Sequence, residues 1–218
     1  MVNFKLKEIC RTQFEIICLQ EVFHQNSREL IEQILKGEYP FVASNFGKTS
    51  LNTDLGSGLL VASKFNIEKS EFVAFGNGVG SDKDIDRGVL AVKLDVSSLR
   101  ENTSLYVVNT SLQRSPDGSS GWQGLQNKEE LAQKTREQQL AVVKGLIDKL
   151  AEEEKVKLKN TAFVLCGSFS VVAEEIIVDT KQMWMQSHLL PSLVERLSDA
   201  EFNGTSSWSL FLVFLRFR

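Results

Sequence analysis

Three stretches of this chain place polar, chemistry-capable side chains directly after apolar runs. Gln20-Glu21 follows FEIICL, Asn109-Thr110-Ser111 follows LYVV, and Gly167-Ser168-Phe169-Ser170 follows AFVLC. Ser63-Lys64 closes a fourth run, GLLVAS. A carboxylate such as Glu21 can hold a hard cation through oxygen; its plainer reading is a solvated acid beyond a strand. The hydroxyls of Ser111, Ser168 and Ser170 and the amide of Asn109 can hydrogen-bond a phosphoryl oxygen. Ser168 as a nucleophile would need an activating neighbour, and no motif sets a His or Lys beside it. The only histidines are His24 and His188; His24, close behind Glu21, reads as a surface or capping residue. Arg87 and Lys64 carry the charge to line a phosphate site, or are solvated surface cations. Gly76-Asn77-Gly78-Val79-Gly80 lacks the strand–helix context of a dinucleotide loop and reads as a flexible loop. Trp122 lies in a polar stretch and reads as exposed, either an anchor or a local packing residue.

Side chains like these converge only if rigid elements aim them. Phe14 to Leu19 is short, apolar and β-branched, as a buried strand should be. Leu30, Ile31, Ile34 and Leu35 fall at helical spacing, which predicts a helix over 28–35 with Gly37 past its end. Phe41 to Asn45 is a weak strand, Gly58 to Ser63 a buried one, and Ile67 to Phe75 alternates as a partner for it. A loop is expected over 76–87. Val89 to Val96 and Ser104 to Thr110 read as a hairpin. Residues 114–127 read as a long loop and Leu131 to Glu154 as the one long helix, with Leu140, Val143, Leu146, Ile147 and Leu150 as its apolar stripe. Ala162 to Cys166 is another strand. Helices over 173–186 and 192–200, a loop at Pro191 and an apolar tail from Trp208 to Phe217 complete the chain. The tail reads as a buried strand or an aggregation-prone segment. No repeat or linker divides the chain, so a single domain over 1–218 is expected, of α+β sandwich type.

At 218 residues, 42% hydrophobic and 24% charged, the chain has globular composition and needs no staple. A net charge of −3 argues against binding nucleic acid through bulk charge. Three cysteines, Cys10, Cys18 and Cys166, do not make a disulfide framework. The first ten residues have no apolar core, so no signal peptide is expected and the location is read as cytoplasmic. No apolar run is long enough to form a transmembrane segment.

Six segments then become recognisable in order: FEIICLQEV (14–22), GSGLLVAS (56–63), DRGVLAVKL (86–94), LYVVNTSLQ (105–113), TREQQLAV (135–142) and FVLCGSFS (163–170). Together they resemble the endonuclease/exonuclease/phosphatase superfamily, the DNase-I-like fold, and within it the neutral-sphingomyelinase-like branch. The resemblance implies a four-layer α/β sandwich and Mg²⁺-dependent phosphodiester hydrolysis. In that pattern the Glu of LQE, here Glu21, holds the metal. The Asn and His of NTH fall on Asn109 and Ser111. The Asp and Asn of GDFN, which orient water and phosphate, fall on Ser168 and Ser170. A C-terminal Ser-Asp-His supplies the general base.

The chain departs from that pattern at Ser111, Ser168 and Ser170 and has no Ser-Asp-His. The first family strand, which carries an Asn metal ligand, does not fit ahead of residue 14; Asn3 is too close. The sandwich is thus expected to be truncated, incomplete at both ends. Serine is sterically acceptable at each site, but its hydroxyl is too weak a base near neutrality, and base catalysis alone is worth about 10²–10⁴ in rate. The expectation is a pseudoenzyme with weak or absent Mg²⁺ binding at Glu21. It would bind a phosphorylated ligand, a lipid headgroup or a protein partner, and would tend to self-associate. The alternative is a working Mg²⁺-dependent phosphodiesterase, sphingomyelinase-like or nuclease-like.

Overall fold

The computed structural model describes residues 14–44, 46–47, 55–115, 122–156, 160–170 and 213–215. β1 (Ile16–Leu19) is buried along its whole length because both of its faces are covered. Ile16 and Cys18 look into the space between two sheets, and Ile17 and Leu19 look toward the helix α1 (Gln25–Leu35). This is why the run reads IICL without polar alternation. β2 (Phe41–Ala43) and β3 (Leu60–Ser63) complete that side, with β3 antiparallel to both β1 and β2. β8 (Val213–Leu215) pairs with the other edge of β1, giving the order β2-β3-β1-β8.

The second sheet runs β4-β5-β6-β7, from β4 (Ile67–Ala74), β5 (Gly88–Asp95), β6 (Thr103–Ser111) and β7 (Asn160–Ser168). β5 and β6 form the expected antiparallel hairpin. β6 and β7 are parallel, and the crossover between them carries α2 (Trp122–Val156). Leu90, Val92, Leu94, Leu105 and Val107 face the first sheet; Val89, Ala91, Tyr106 and Val108 face Val143, Leu146, Ile147 and Leu150 of α2. Three apolar layers therefore separate four structural layers: α1, sheet, sheet, α2. This is the α+β four-layer sandwich of the DNase-I-like type that the motif order implies.

Polar contacts also fix α2 on its sheet. Buried Glu154 accepts hydrogen bonds from Lys93 (3.1 and 3.2 Å), Tyr106 (3.1 Å) and Ser104 (3.2 Å). Burial and then the Glu154 charge push the Tyr106 phenol well above its ordinary range. Burial lowers the Lys93 pKa, but hydrogen bonds and charges from Glu154 and Glu68 outweigh it, and the ammonium titrates above its ordinary value. Outside this cluster Lys69, Glu71, Lys149 and Glu153 close a ring of four ion pairs.

Several expectations are corrected. Ile67–Ala74 does not pair with β3, both of whose edges are taken by β1 and β2; it crosses to the other sheet and pairs with β5. The stretch 114–127 is not all loop, since α2 starts at Trp122 and the Gln, Lys and Glu residues that follow are strong helix formers. The helix read over 28–35 begins at Gln25. Of the tail, Val213–Leu215 is a strand; the expectations for 171–212, His188, Cys10 and residues 1–13 lie outside the described residues.

Candidate functional site

β1 ends in a sharp turn in which Glu21 takes a left-handed backbone, φ 62°. The turn is held from β3's side, where the Val22 N–H donates to the Gly58 carbonyl at 3.0 Å. Gly58 itself has φ +73°, and a Cβ there would come within 2.6 Å of the Phe23 ring and 3.2 Å of the Glu21 Cα. Only glycine leaves room for that approach.

β6 and β7 bring the serines together. Ser111 and Ser168 are direct register partners, and the Leu112 N–H donates to the Ser168 carbonyl at 2.8 Å. Gly167 allows this closeness, since a Cβ on it would lie 2.2 Å from the Thr110 carbonyl oxygen. Ser111 is fully buried, Ser168 nearly so, and Ser170 half-buried with φ 53°. Glu21 and Ser170 are thus both strained non-glycine positions, a feature that clusters at functional sites.

Arg87, at the entry to β5, ties these ends into one constellation. Its guanidinium donates to the Ser111 hydroxyl and lies 3.6 Å from the Glu21 carboxylate. Its Nε and Nη2 donate to the two oxygens of Asp82 at 2.9 and 3.2 Å, and it lies 5.4 Å from the centroid of the Phe23 ring. Asp82 also accepts from the Arg114 backbone N–H (3.0 Å), Nε (3.1 Å) and Nη2 (2.9 Å). Asp82 and Arg87 are buried, while the Arg114 side chain is 43% exposed at the surface of the cluster.

Asn109 lies below this layer and joins the two sheets. Its amide donates to the carbonyls of Leu19 (2.9 Å) and Leu60 (3.2 Å), and it accepts from Gln20 Nε2 at 2.7 Å. It is fully buried. Gln113 and Gln139 brace Arg114 and the 76–84 segment. Gln113 accepts from the Val79 N–H (2.8 Å) and donates to the carbonyls of Val79 (3.2 Å) and Arg114 (2.9 Å); Gln139 donates to the Asn77 backbone at 3.2 Å. The glycine-rich segment read as flexible is therefore pinned at both its backbone and its side chains.

Of the candidate residues, Glu21 and Ser111 both meet Arg87, Ser168 is the register partner of Ser111, Asn109 lies beneath, and Ser170 follows two residues beyond the end of β7. The expected convergence fails for Ser63 and Lys64. β3 runs antiparallel to β1 with Ser63 opposite Ile16, so this strand end sits away from Glu21, and Lys64 lies over Tyr39 at 5.6 Å. His24 is exposed at the start of α1, bridged to Leu55, with no capping bond from its side chain. The side chain of Trp122 is outside the described residues. Sequence reasoning missed Asp82 and Arg114. Their only signal is an acid five residues ahead of Arg87 and a cation three beyond Ser111, and loops give no periodicity from which to read such a pairing.

No protein-family model matches the chain. An uncharacterised protein of Dictyostelium discoideum is 33% identical over 96% of this chain and 19% of its own length. Sphingomyelin phosphodiesterase 5 of Danio rerio is 30% identical over 48% of this chain and 21% of its own length. The chain thus spans about a fifth of these relatives. Among solved structures, sphingomyelinase C from Streptomyces griseocarneus superposes with a TM-score of 0.61 at 22% identity, covering 87% of this chain and 64% of that one. A beta toxin of Staphylococcus aureus solved with bound magnesium ions gives 0.60 at 16%, covering 97% and 76%. The chain has the DNase-I-like fold of the endonuclease/exonuclease/phosphatase superfamily, and its resemblance falls on the sphingomyelinase-like side of it.

The described side chains do not by themselves make up the oxygen set of the Mg²⁺ that such a fold implies. That ion takes a near-octahedral set of oxygens at about 2.0–2.1 Å. Glu21 is the one carboxylate at the family's metal position, and it faces a guanidinium. Among the described residues no group of three or more His, Cys, Asp or Glu side chains could hold a metal ion.

Proposed function

We propose that this chain is a non-hydrolytic relative of the Mg²⁺-dependent phosphodiesterases, whose cleft binds a phosphoryl-bearing ligand without turning it over. One observation carries the reading: the hydroxyl of Ser111 is buried and engaged by Arg87, and the same guanidinium lies against Glu21. Two of the groups at the family's catalytic positions, Ser111 and Glu21, are thus engaged by one guanidinium. Among the described residues no side chain hydrogen-bonds the Ser168 hydroxyl, and an unassisted hydroxyl is a poor nucleophile. The rigid setting of Arg114 by Asp82 supports binding, because a guanidinium already fixed in place loses less freedom on meeting a phosphate. The alternative of a working sphingomyelinase-like hydrolase draws its support from kinship with the named relatives.

The test is turnover of bis-nitrophenyl phosphate, sphingomyelin and plasmid DNA with and without Mg²⁺, beside a binding titration with inorganic phosphate. The reading expects no Mg²⁺-dependent product from any substrate, together with phosphate binding weakened by Arg114→Ala. Robust hydrolysis lost in Glu21→Ala would sink it.

A further inference from the structure

We infer that Arg87 is a resident cation standing in place of a divalent metal at Glu21, so that this cleft neither requires nor admits Mg²⁺. The inference rests on the reading above that Glu21, Ser111 and Ser168 mark the cleft, and it names what governs that cleft's charge. The argument begins with the donors of the guanidinium. Nε and Nη2 go to Asp82, Nη1 to Ser111, and Nη2 also approaches Glu21. The planar fork is therefore used on every side, the arrangement for which arginine is better suited than lysine.

Nor is the group free to step aside. Its side chain is 1% exposed, and so is that of Asp82. Swinging the guanidinium out would withdraw one of the two cations that neutralise a buried carboxylate, and such a charge is costly to leave underpaired. A metal ligated by Glu21 would sit within a few ångströms of this fixed positive charge, which is itself buried and only partly screened by the water that reaches the 21%-exposed Glu21 side chain. Mg²⁺ gives up its water reluctantly, and one carboxylate already matched to a cation offers little in return.

Charge balance supports the same assignment. Arg87 and Arg114 offset Asp82 and Glu21 one for one. These four described side chains balance one another in charge. It follows that phosphate binding to this cleft is insensitive to chelators.

The test uses Mn²⁺ as a paramagnetic probe, read by the loss of its free-ion resonance signal on titration of the full chain. Unmodified protein and Glu21→Gln are expected to give the same weak titration. Arg87→Met keeps the apolar stem and removes the charge, and Asp82 retains Arg114. This variant is expected to bind Mn²⁺ about tenfold more tightly or better, with the gain lost again when Glu21→Gln is added. Stoichiometric Mn²⁺ binding by the unmodified chain that disappears in Glu21→Gln would overturn the inference. So would a folded Arg87→Met, verified by circular dichroism, with no gain. If that variant does not fold, the comparison of unmodified protein with Glu21→Gln decides. The metal readout is separate from turnover: a chain that binds Mn²⁺ yet hydrolyses nothing refutes this inference and leaves the non-hydrolytic reading intact.

Discussion

Two residues show how a change at a position that the family pattern marks as catalytic bears on stability as well as chemistry. Ser170 holds a left-handed backbone at φ 53°. Residues other than glycine enter that region at a cost of about 1–2 kcal/mol, and asparagine does so most easily. Ser170→Asn should therefore stabilise the chain by roughly 0.5 kcal/mol, part of that cost, with no gain in hydrolysis; a denaturant midpoint that falls would refute the account of this turn. Asn109 is the opposite case. It was singled out in the sequence as a site residue, yet its amide joins carbonyls of β1 and β3 to a strand of the other sheet. Asn109→Leu should cost about 3 kcal/mol, because it leaves buried carbonyls and the Gln20 amide unpaired. Urea unfolding checks this, and a loss under about 1 kcal/mol would show that the staple is dispensable. The identities of Glu21, Ser111 and Ser168 were legible because they follow recognisable strands. Asp82 and Arg114 were not, because hydrogen bonds between two loops leave no pattern in the sequence.

At the scale of elements, strands with apolar faces on both sides were readable from composition, and the β5–β6 hairpin from alternation. The partner of β4 was not. Alternation states that one face is buried but not against which neighbour, and the choice was made by β2 taking the free edge of β3. The start of α2 was hidden by the Gly, Ser and Asn residues that flank it. What keeps α2 in place yields a pH prediction. The hydrogen bond from Lys149 lowers the Glu71 pKa below its ordinary 4.5, against burial and with help from Lys69. A lowered carboxylate contributes stability above pH 4.5 that is lost as pH falls through the folded-state value. Lys93 is raised, so its contribution is present below pH 10.5 and is lost as pH rises through its higher folded-state value. Thermal melting should thus show a plateau between these limits and decline on both sides. Glu71→Gln should flatten the acid side, and an unchanged acid limb would show that the ring of ion pairs contributes nothing.

For the whole molecule, the resemblance carried by six motifs in order implied the layered sandwich, and the two stacked sheets have that arrangement. The course of the chain beyond β7 was not legible, since the apolar tail fits a buried strand and an aggregating segment equally well. In the structure Val213–Leu215 pairs with the edge of β1. Removing residues 209–218 should therefore raise self-association, by opening an apolar edge; light scattering that stays monodisperse after the deletion would contradict this placement.

The central claim is that the fold is retained while Glu21 and Ser111 are held by the Arg87 guanidinium. It is tested most directly by the Mg²⁺-dependent rate of nitrophenol release from bis-nitrophenyl phosphate, measured for the unmodified chain beside Ser111→His/Ser168→Asp/Ser170→Asn. The account predicts background rates for the first and no full recovery for the second, because Arg87 still faces Glu21 and no general base has been supplied. Sustained Mg²⁺-dependent turnover by the unmodified chain, or full activity in the triple variant, would contradict it.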